Sequence, residues 1–201
     1  MSKIIAMIRS IPVTQDDDGR VHWQSGAAIS ANGANGQNGN PFAYRYPNND
    51  GLADIHGSAG YPDRAWQDIL VDDGSGHPLT DDNGNAYSRT KYSWPGRSIT
   101  TRAVDATAVA YVVVNLHVLR NANGVVIGSK AVVAYKGKSV DAVVADVGGP
   151  NDIGKISIAA AQALGIESSP RDGGVDSGVQ FEFWPGTSAV VNGETYVRLG
   201  A

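Results

Sequence analysis

The sequence predicts a mainly β fold with short helices, formed by a single domain. The chain has 201 residues, of which 25 are Gly and 9 are Pro, and this composition favours many turns over long helices. Apolar residues occur in short runs, several of which alternate as in a half-buried strand. No linker-like tract divides the chain, so we expect one domain rather than two.

Composition and charge exclude several classes of function. Lys and Arg number 16 against 20 Asp and Glu, and the net charge of −4 argues against a nucleic-acid surface or a polybasic membrane patch. The absence of Cys excludes disulfides, thiolate metal sites and a cysteine nucleophile. The 4 His lie on separate segments without metal-ligand spacing, so neither zinc nor another cofactor is expected.

The N-terminal segment does not have the pattern of a signal peptide. After Lys3 the apolar run 4–8 ends at Arg9, which is shorter than a signal-peptide core of about 7–15 residues. No run approaches the roughly 18 apolar residues of a membrane span. We expect no membrane partner, and a protein that is cytoplasmic as synthesised, exported by a non-classical route, or trimmed after secretion.

The first 25 residues predict a strand or hairpin packed on the main domain, residues 26–201. Residues 3–13 are apolar enough for a strand, and the acidic turn Asp16-Asp17-Asp18-Gly19 is expected to join it to a strand at 21–24. The three Asp lack the alternating ligands and the distal Glu of an EF-hand loop. A solvated turn is therefore predicted rather than a calcium site.

Three Asn-Gly pairs follow within residues 32–39. Asn-Gly tolerates left-handed backbone and contributes no apolar surface. We expect residues 32–40 to form the most mobile internal loop of the chain.

Further turn signals separate strands in the middle of the chain. The run 109–114 predicts a buried strand, and Asn123-Gly124 predicts a hairpin that follows a strand at 116–119. Gly137-Lys138-Ser139 is similar to the end of a phosphate-binding loop, but Val132 occupies the position where that loop needs Gly. A tight turn between two strands is expected there.

The most informative stretch covers residues 139–166. Residues 140–145 predict a buried strand that ends on a carboxylate, Asp146, and Gly148-Gly149-Pro150-Asn151-Asp152 predicts a loop. The apolar residues that follow have helical composition, and Gly165 lies where a helix C-cap belongs. This arrangement is suited to presenting one acid to a cleft.

Motifs spread over about residues 26–187 occur in an order that is found in a known family. They are Gly26-Ala27-Ala28-Ile29-Ser30-Ala31-Asn32-Gly33, Ala43-Tyr44, Gly51-Leu52-Ala53-Asp54, Ala65-Trp66, Ala145-Asp146-Val147-Gly148, Ile153-Gly154-Lys155-Ile156-Ser157, Ala163-Leu164-Gly165-Ile166 and Ser169-Pro170-Arg171. Together they resemble the chitosanases of glycoside hydrolase family seventy-five.

This resemblance implies a six-stranded β-barrel of the double-psi type that acts on an amino-sugar polysaccharide such as chitosan. In that family the Asp matched by Asp146 is one catalytic carboxyl, and the position of the second, a Glu, is occupied here by Lys155. Tyr44 and Trp66 are predicted substrate contacts, since aromatic rings stack on the C–H faces of sugars, and Arg171 of the last motif is a third. For Trp66, core packing is the alternative.

Three functions remain open at this stage. In an active glycosidase a second acid replaces the missing Glu, with Asp152, Asp63, Asp105 and Asp141 as candidates, although Asp105 also fits a turn cap. Alternatively, Asp146 works alone, as the single acid of a lytic transglycosylase does on peptidoglycan. In the third case the fold is a pseudoenzyme that binds a glycan or a protein.

Lys155 is expected to alter the chemistry of the site. A cation beside Asp146 lowers the pKa of that carboxyl, which keeps it ionised and prevents it from acting as an acid. A Lys also repels chitosan, which is a polycation. The alternative is that Lys155 points into solvent and changes little.

Overall fold

The computed structural model of the protein describes residues 1–33, 52–53, 60–63, 65–80, 86–99, 101–170 and 172–200. The strands in this part are β1 (Lys3–Ile8), β2 (Ile11–Gln15), β3 (Val21–Ser30), β4 (Leu52–Ala53), β5 (Ala86–Tyr87), β6 (Tyr111–Asn115), β7 (Ser129–Tyr135), β8 (Lys138–Gly148), β9 (Lys155–Ser157), β10 (Val175–Val191) and β11 (Glu194–Tyr196). The helices are α1 (Leu116–Asn121) and α2 (Ile158–Leu164), with a 3-10 turn at Trp66–Asp68.

Six strands close into a barrel in the order β3-β9-β6-β8-β7-β10, and β10 pairs back with β3. The pairs β3–β9 and β6–β8 are parallel, and the other four are antiparallel. The prediction of a mainly β, single-domain fold built on a six-stranded barrel is confirmed. The double-psi type stays a prediction.

The interior of the barrel is filled by every second residue of its strands, as the period of a β-strand requires. In β3 the buried positions include Val21, Trp23 and Ile29. The Trp23 ring stacks on Phe181 with ring centroids 4.9 Å apart and meets the ring of Phe183 edge-on at the same distance. Aromatic packing of this kind joins β3 to β10 where the barrel closes.

The N-terminal hairpin differs from its prediction. The run predicted as one strand is two, β1 and β2, because the chain reverses at Arg9 and Ser10, which both have positive φ. The acidic turn between β2 and β3 is confirmed, with the Gly19 amide donating to the Asp16 carbonyl oxygen at 2.9 Å. Strand β3 runs without a break through residues 25 and 26. The boundary between an N-terminal hairpin, residues 1–25, and a main domain, residues 26–201, stays a prediction.

Two local predictions in the second half are confirmed and one is wrong. Lys136 and Gly137 have positive φ and form the tight turn between β7 and β8, and Gly165 closes α2 at φ 72°. The predicted strand at 116–119 is instead helix α1, because the Asn115 side chain caps its first turn by accepting from the His117 amide.

Some predictions fall outside the described residues. These are the substrate contacts of Tyr44 and Arg171 and most of the predicted mobile loop, residues 34–40. Neither helix of the described part has the length and apolarity that crossing a membrane requires.

Candidate active site

Asp146 belongs to a row of residues that crosses four strands of the barrel. The row consists of Ala28, Lys155, Val113 and Asp146, on β3, β9, β6 and β8. The adjacent row consists of Ile29, Ile156, Val112 and Val144, all of which are buried. Successive residues of a strand point to opposite faces, so the second row faces the interior and the row of Asp146 faces outward.

A β-bulge turns Asp146 to this outer face. Between the two rows β6 advances by one residue, from Val112 to Val113, whereas β8 advances by two and leaves Ala145 unpaired. In a regular strand Asp146 would share the inward face of Val144. Bulges of this kind re-aim side chains beside functional sites.

Three donors hold the carboxylate of Asp146, which is only 5% exposed. Asn32 Nδ2 donates to Oδ2 at 2.9 Å, and the Lys91 and Val147 amides donate to Oδ1 at 3.1 and 2.9 Å. The carboxyl is therefore buried in a polar environment and does not lie in an apolar core. These contacts fix the orientation of the side chain.

Two of the donors to Asp146 come from irregular segments, residues 32–33 and 88–92. These segments are hydrogen-bonded to each other, and the second is also hydrogen-bonded to Val104. The Thr90 hydroxyl accepts from the Val104 amide at 3.0 Å, and the Gly33 amide donates to the Ser88 carbonyl at 2.8 Å. A Cβ on Gly33, which has φ +81°, would lie 1.9 Å from the Val104 carbonyl oxygen. Gly33 is thus required for this close approach.

The pKa of Asp146 is raised above the usual value of 3.8, because burial disfavours the charged form. Asn32, the two backbone amides and the charge of Lys155 act in the opposite direction but do not outweigh burial. Lys155 lowers the pKa of Asp146, as expected, but its effect is smaller than that of burial and the net shift is upward. The sequence shows which charge is near Asp146, but it does not show how far the carboxyl is removed from water.

Lys155 lies in β9, two strands from Asp146, with Val113 between them. Neighbouring strands are about 4.8 Å apart, so roughly 10 Å separates the backbone positions of the two residues. The Lys155 side chain is half-buried. A carboxyl at this position would face the same side of the barrel as Asp146.

Asp152 lies on the same face. Gly148 follows Asp146 by two residues in β8, about 6.6 Å further along the strand. A Cβ on Gly148 would lie 3.1 Å from the Cβ of Asp152. The exposed Asp152 carboxylate accepts from the Gly149 amide at 3.0 Å.

The Asn115 side chain anchors the loop that carries Asp152. Its Nδ2 donates to the carbonyl oxygens of Gly149, Pro150 and Asp152 at 2.9, 3.0 and 2.8 Å. Asn115 is buried at the end of β6. It therefore fixes the path of the chain between Asp146 and Lys155.

The other acidic candidates have different environments. Asp105 is buried and caps a turn, where its Oδ1 accepts from the amide and hydroxyl of Thr107. Asp141 is exposed and pairs with Lys130 at 3.3 Å. Asp63 lies in an exposed turn, with its amide donating to Gly60, and no hydrogen bond between described residues links its side chain to Asp146.

Trp66 is 5% exposed and packs in a small cluster with Leu70 and Ala86, its ring edge-on to Tyr61. This environment matches the core-packing alternative. Substrate binding by Trp66 stays a prediction, and the burial of its ring does not support it.

A cleft of about 450 Å³ adjoins the outer row at Ala28. Its walls come from the β3 backbone, Ile153 and the segment that leads into β10, and they carry the exposed carboxylates of Asp172 and Asp176. Ala28 lies three strands, about 14 Å, from Asp146, and the residues that line the cleft do not include Asp146.

Two residues that organise the candidate site were not predicted from the sequence. Asn32 was assigned to turn chemistry, and Asn115 lies one residue beyond the run predicted as a strand, 109–114. Asn32 contacts Asp146, and Asn115 contacts the loop that carries Asp152. Asn115 could have been found from its position, because it is a polar residue immediately after a buried apolar run.

No protein-family model matches this chain, and a search of curated proteins gives no match. Within the described residues, no group of three or more His, Asp or Glu side chains has the geometry to hold a metal ion.

Proposed function

We propose that this protein is a chitosanase-like glycosidase with an altered active site, which cleaves an amino-sugar polysaccharide with Asp146 as its general acid. The proposal starts from the motif resemblance and rests on one observation. The buried carboxyl of Asp146 has a raised pKa, and burial is the largest cause. A carboxyl with a raised pKa is what protonation of a leaving glycosidic oxygen requires.

Asp152 is our candidate for the base. It is exposed, and it lies on the same outer face as Asp146. Inverting glycosidases separate the two carboxyls by roughly 6.5–9.5 Å, which leaves room for one water. In this scheme Asp146 gives its proton to the leaving oxygen while Asp152 takes one from the water that attacks the anomeric carbon.

A single-acid mechanism is the second candidate. It is favoured by the substitution of Lys155 at the position where the resemblance expects Glu. Asp146 alone would then protonate the leaving oxygen as the glycosidic bond breaks. A hydroxyl of the sugar itself would attack the anomeric carbon in place of water, and the Asp146 carboxylate would take its proton. The products of this route carry anhydro ends.

Mass spectrometry of the products distinguishes these mechanisms. The purified protein is incubated with chitosan and with peptidoglycan, and the new chain ends are identified. Hydrated ends support hydrolysis with a second carboxyl, and anhydro ends support the single-acid route. If neither polymer is cleaved, the protein is a glycan- or protein-binding pseudoenzyme and the proposal is wrong.

A further inference from the structure

The three donors to Asp146 are divided unevenly between its two carboxyl oxygens. Oδ1 accepts from two backbone amides, those of Lys91 and Val147, at 3.1 and 2.9 Å. Oδ2 accepts from one group, the side-chain amide of Asn32, at 2.9 Å. Each carboxylate oxygen has two acceptor positions. Among the contacts of the described residues, both positions of Oδ1 are therefore occupied, and Oδ2 keeps one open position for the proton of the neutral acid.

The backbone of Asn32 is fixed on both sides of its side chain. The hydroxyl of Tyr111, which is fully buried in β6, donates to the Asn32 carbonyl oxygen at 2.9 Å. The next amide, that of Gly33, donates to the Ser88 carbonyl oxygen at 2.8 Å. The side-chain amide of Asn32 is therefore presented to the carboxyl in a preorganised geometry, and its donation requires no rearrangement when charge develops.

The contact between Asn32 and Oδ2 strengthens when Asp146 releases its proton. Hydrogen bonds to an ionised acceptor are roughly twice as strong as those to a neutral one. As the Oδ2 proton moves to the leaving glycosidic oxygen, that oxygen takes the electron pair of the breaking C–O bond and Asp146 becomes a carboxylate. Asn32 donates to the oxygen on which this negative charge appears. It thus stabilises the transition state more than the ground state.

We infer that Asn32 is a positioning residue that makes Oδ2 the proton-donating atom of Asp146 and stabilises the charge that forms there. The inference rests on the proposed function and specifies how its acid is controlled. The alternative is a purely structural role, in which Asn32 only joins the segment 32–33 to β8. Loss of a structural contact lowers stability or rate, but it does not move the pH at which Asp146 titrates.

Titration of the side-chain carboxyl carbons by nuclear magnetic resonance follows Asp146 without requiring cleavage. Its signal is identified by its absence from Asp146→Asn. The Asn32 hydrogen bond lowers the pKa of Asp146, so Asn32→Ala should move the titration midpoint to higher pH. Loss of one hydrogen bond to a charged group corresponds to a shift of about one pH unit or more. Asn32→Asp, which keeps the shape of the side chain, should also move it upward, because two adjacent carboxyls share one proton.

The matched control is Asn192→Asp. Asn192 also precedes a Gly and donates its side-chain amide at 2.8 Å, but its acceptor is the carbonyl oxygen of Ala108. The substitution makes the same change of charge as Asn32→Asp and should leave the titration of Asp146 unchanged.

The pH profile of kcat/KM on the polymer that the wild type cleaves gives a second readout. A general acid must be protonated, so kcat/KM falls as the pH rises through the pKa of Asp146. In Asn32→Ala this alkaline limb should move upward together with the titration midpoint. The maximum of kcat/KM should fall about tenfold or more, as loss of a charge-assisted hydrogen bond in the transition state requires.

Neutron diffraction tests which oxygen carries the proton. Deuterated crystals of the wild type are prepared below the measured titration midpoint, where the carboxyl is neutral. A deuteron bonded to Oδ2 supports the inference, and a deuteron bonded to Oδ1 overturns it.

The inference is also overturned if folded Asn32→Ala titrates Asp146 at the wild-type pH, or if Asn192→Asp shifts the midpoint as much as Asn32→Asp does. If Asn32→Ala does not fold, Asn32→Asp provides the same comparison. Cleavage with a pH profile that Asn32→Ala leaves in place would refute the inference alone. A shifted titration without cleavage of any polymer would refute the glycosidase and retain the control of the Asp146 proton by Asn32.

Discussion

At the scale of single residues, the proposed role of Asp146 depends on how its carboxyl is held. The bulge at Ala145 aims the side chain outward, and Asn32 with two backbone amides receives it. Burial nevertheless dominates, so the neutral form is favoured relative to a carboxyl in water. This balance raises the pKa of a carboxyl whose orientation is fixed, which is what the proposed acid role requires.

The raised pKa of Asp146 predicts a specific dependence of stability on pH. Between the ordinary value of 3.8 and the raised value, the folded state binds a proton that the unfolded state does not. Stability from this group is therefore fully present below pH 3.8 and is lost as the pH rises through the raised pKa. The melting temperature of the wild type should rise relative to that of Asp146→Asn as the pH falls from 7 to 4.

The control for this comparison is Asp141→Asn, which changes an exposed residue of the same strand. Its difference from the wild type should lack this trend. If the difference between the wild type and Asp146→Asn is independent of pH or moves in the opposite direction, burial does not control the pKa of Asp146.

At the scale of elements, the important unit is the loop between β8 and β9. Asn115 joins the end of β6 to three carbonyl oxygens of this loop and also caps α1. One side chain thus fixes both the helix that follows β6 and the loop that carries Asp152.

Replacing Asn115 by Ala should reduce both stability and activity. The loss of the cap and of the buried hydrogen bonds is expected to cost about 2 kcal/mol or more in the free energy of unfolding, measured by urea titration. The control is Asn121→Ala, since Asn121 donates a single exposed bond to the Ile5 carbonyl. Equal effects of the two substitutions would show that Asn115 does not hold the loop.

Replacing Lys155 by Glu should create or increase hydrolysis of chitosan. The substitution places a carboxyl two strands from Asp146 on the same face, at a backbone separation of roughly 10 Å that is compatible with an inverting pair. It also removes a cation that repels the polymer. The measurement is the rate of reducing-end release by the wild type and the variant. A fully active wild type that the substitution leaves unchanged would contradict this prediction.

Sequence alone located β8, Asp146, the loop after it and the C-cap Gly165, because local apolar runs and turn residues encode these features. It assigned α1 wrongly, since a short apolar run satisfies helical and strand periods equally. It also missed the bulge at Ala145 and the contact between Asn32 and Asp146, which are 114 residues apart. Register and burial are tertiary properties, so the direction of the Asp146 pKa shift was beyond local reasoning.

At the scale of the whole molecule, the barrel depends on the seam where β10 closes on both β3 and β7. Phe181 is fully buried there, opposite Trp23 on one side and Val133 on the other. Every strand of the candidate site belongs to this closed sheet. Packing at the seam therefore supports the geometry of the site from a distance.

Phe181→Ala should destabilise the whole protein by about 3–5 kcal/mol, a large share of the typical stability of a domain. The matched control is Val190→Ala in the same strand, because Val190 is 54% exposed and its truncation should change little. Thermal unfolding followed by circular dichroism measures both. A loss below about 1 kcal/mol for Phe181→Ala would show that the seam is not the centre of the core.

The central claim, that Asp146 is the acid that cleaves a glycosidic bond, is tested most directly by the turnover of Asp146→Asn on the polymer that the wild type cleaves. Loss of a general acid lowers the rate about 10²–10⁴-fold, and Asp141→Asn should retain the wild-type rate. Circular dichroism verifies that both variants are folded. A folded Asp146→Asn protein that cleaves as fast as the wild type would contradict the account.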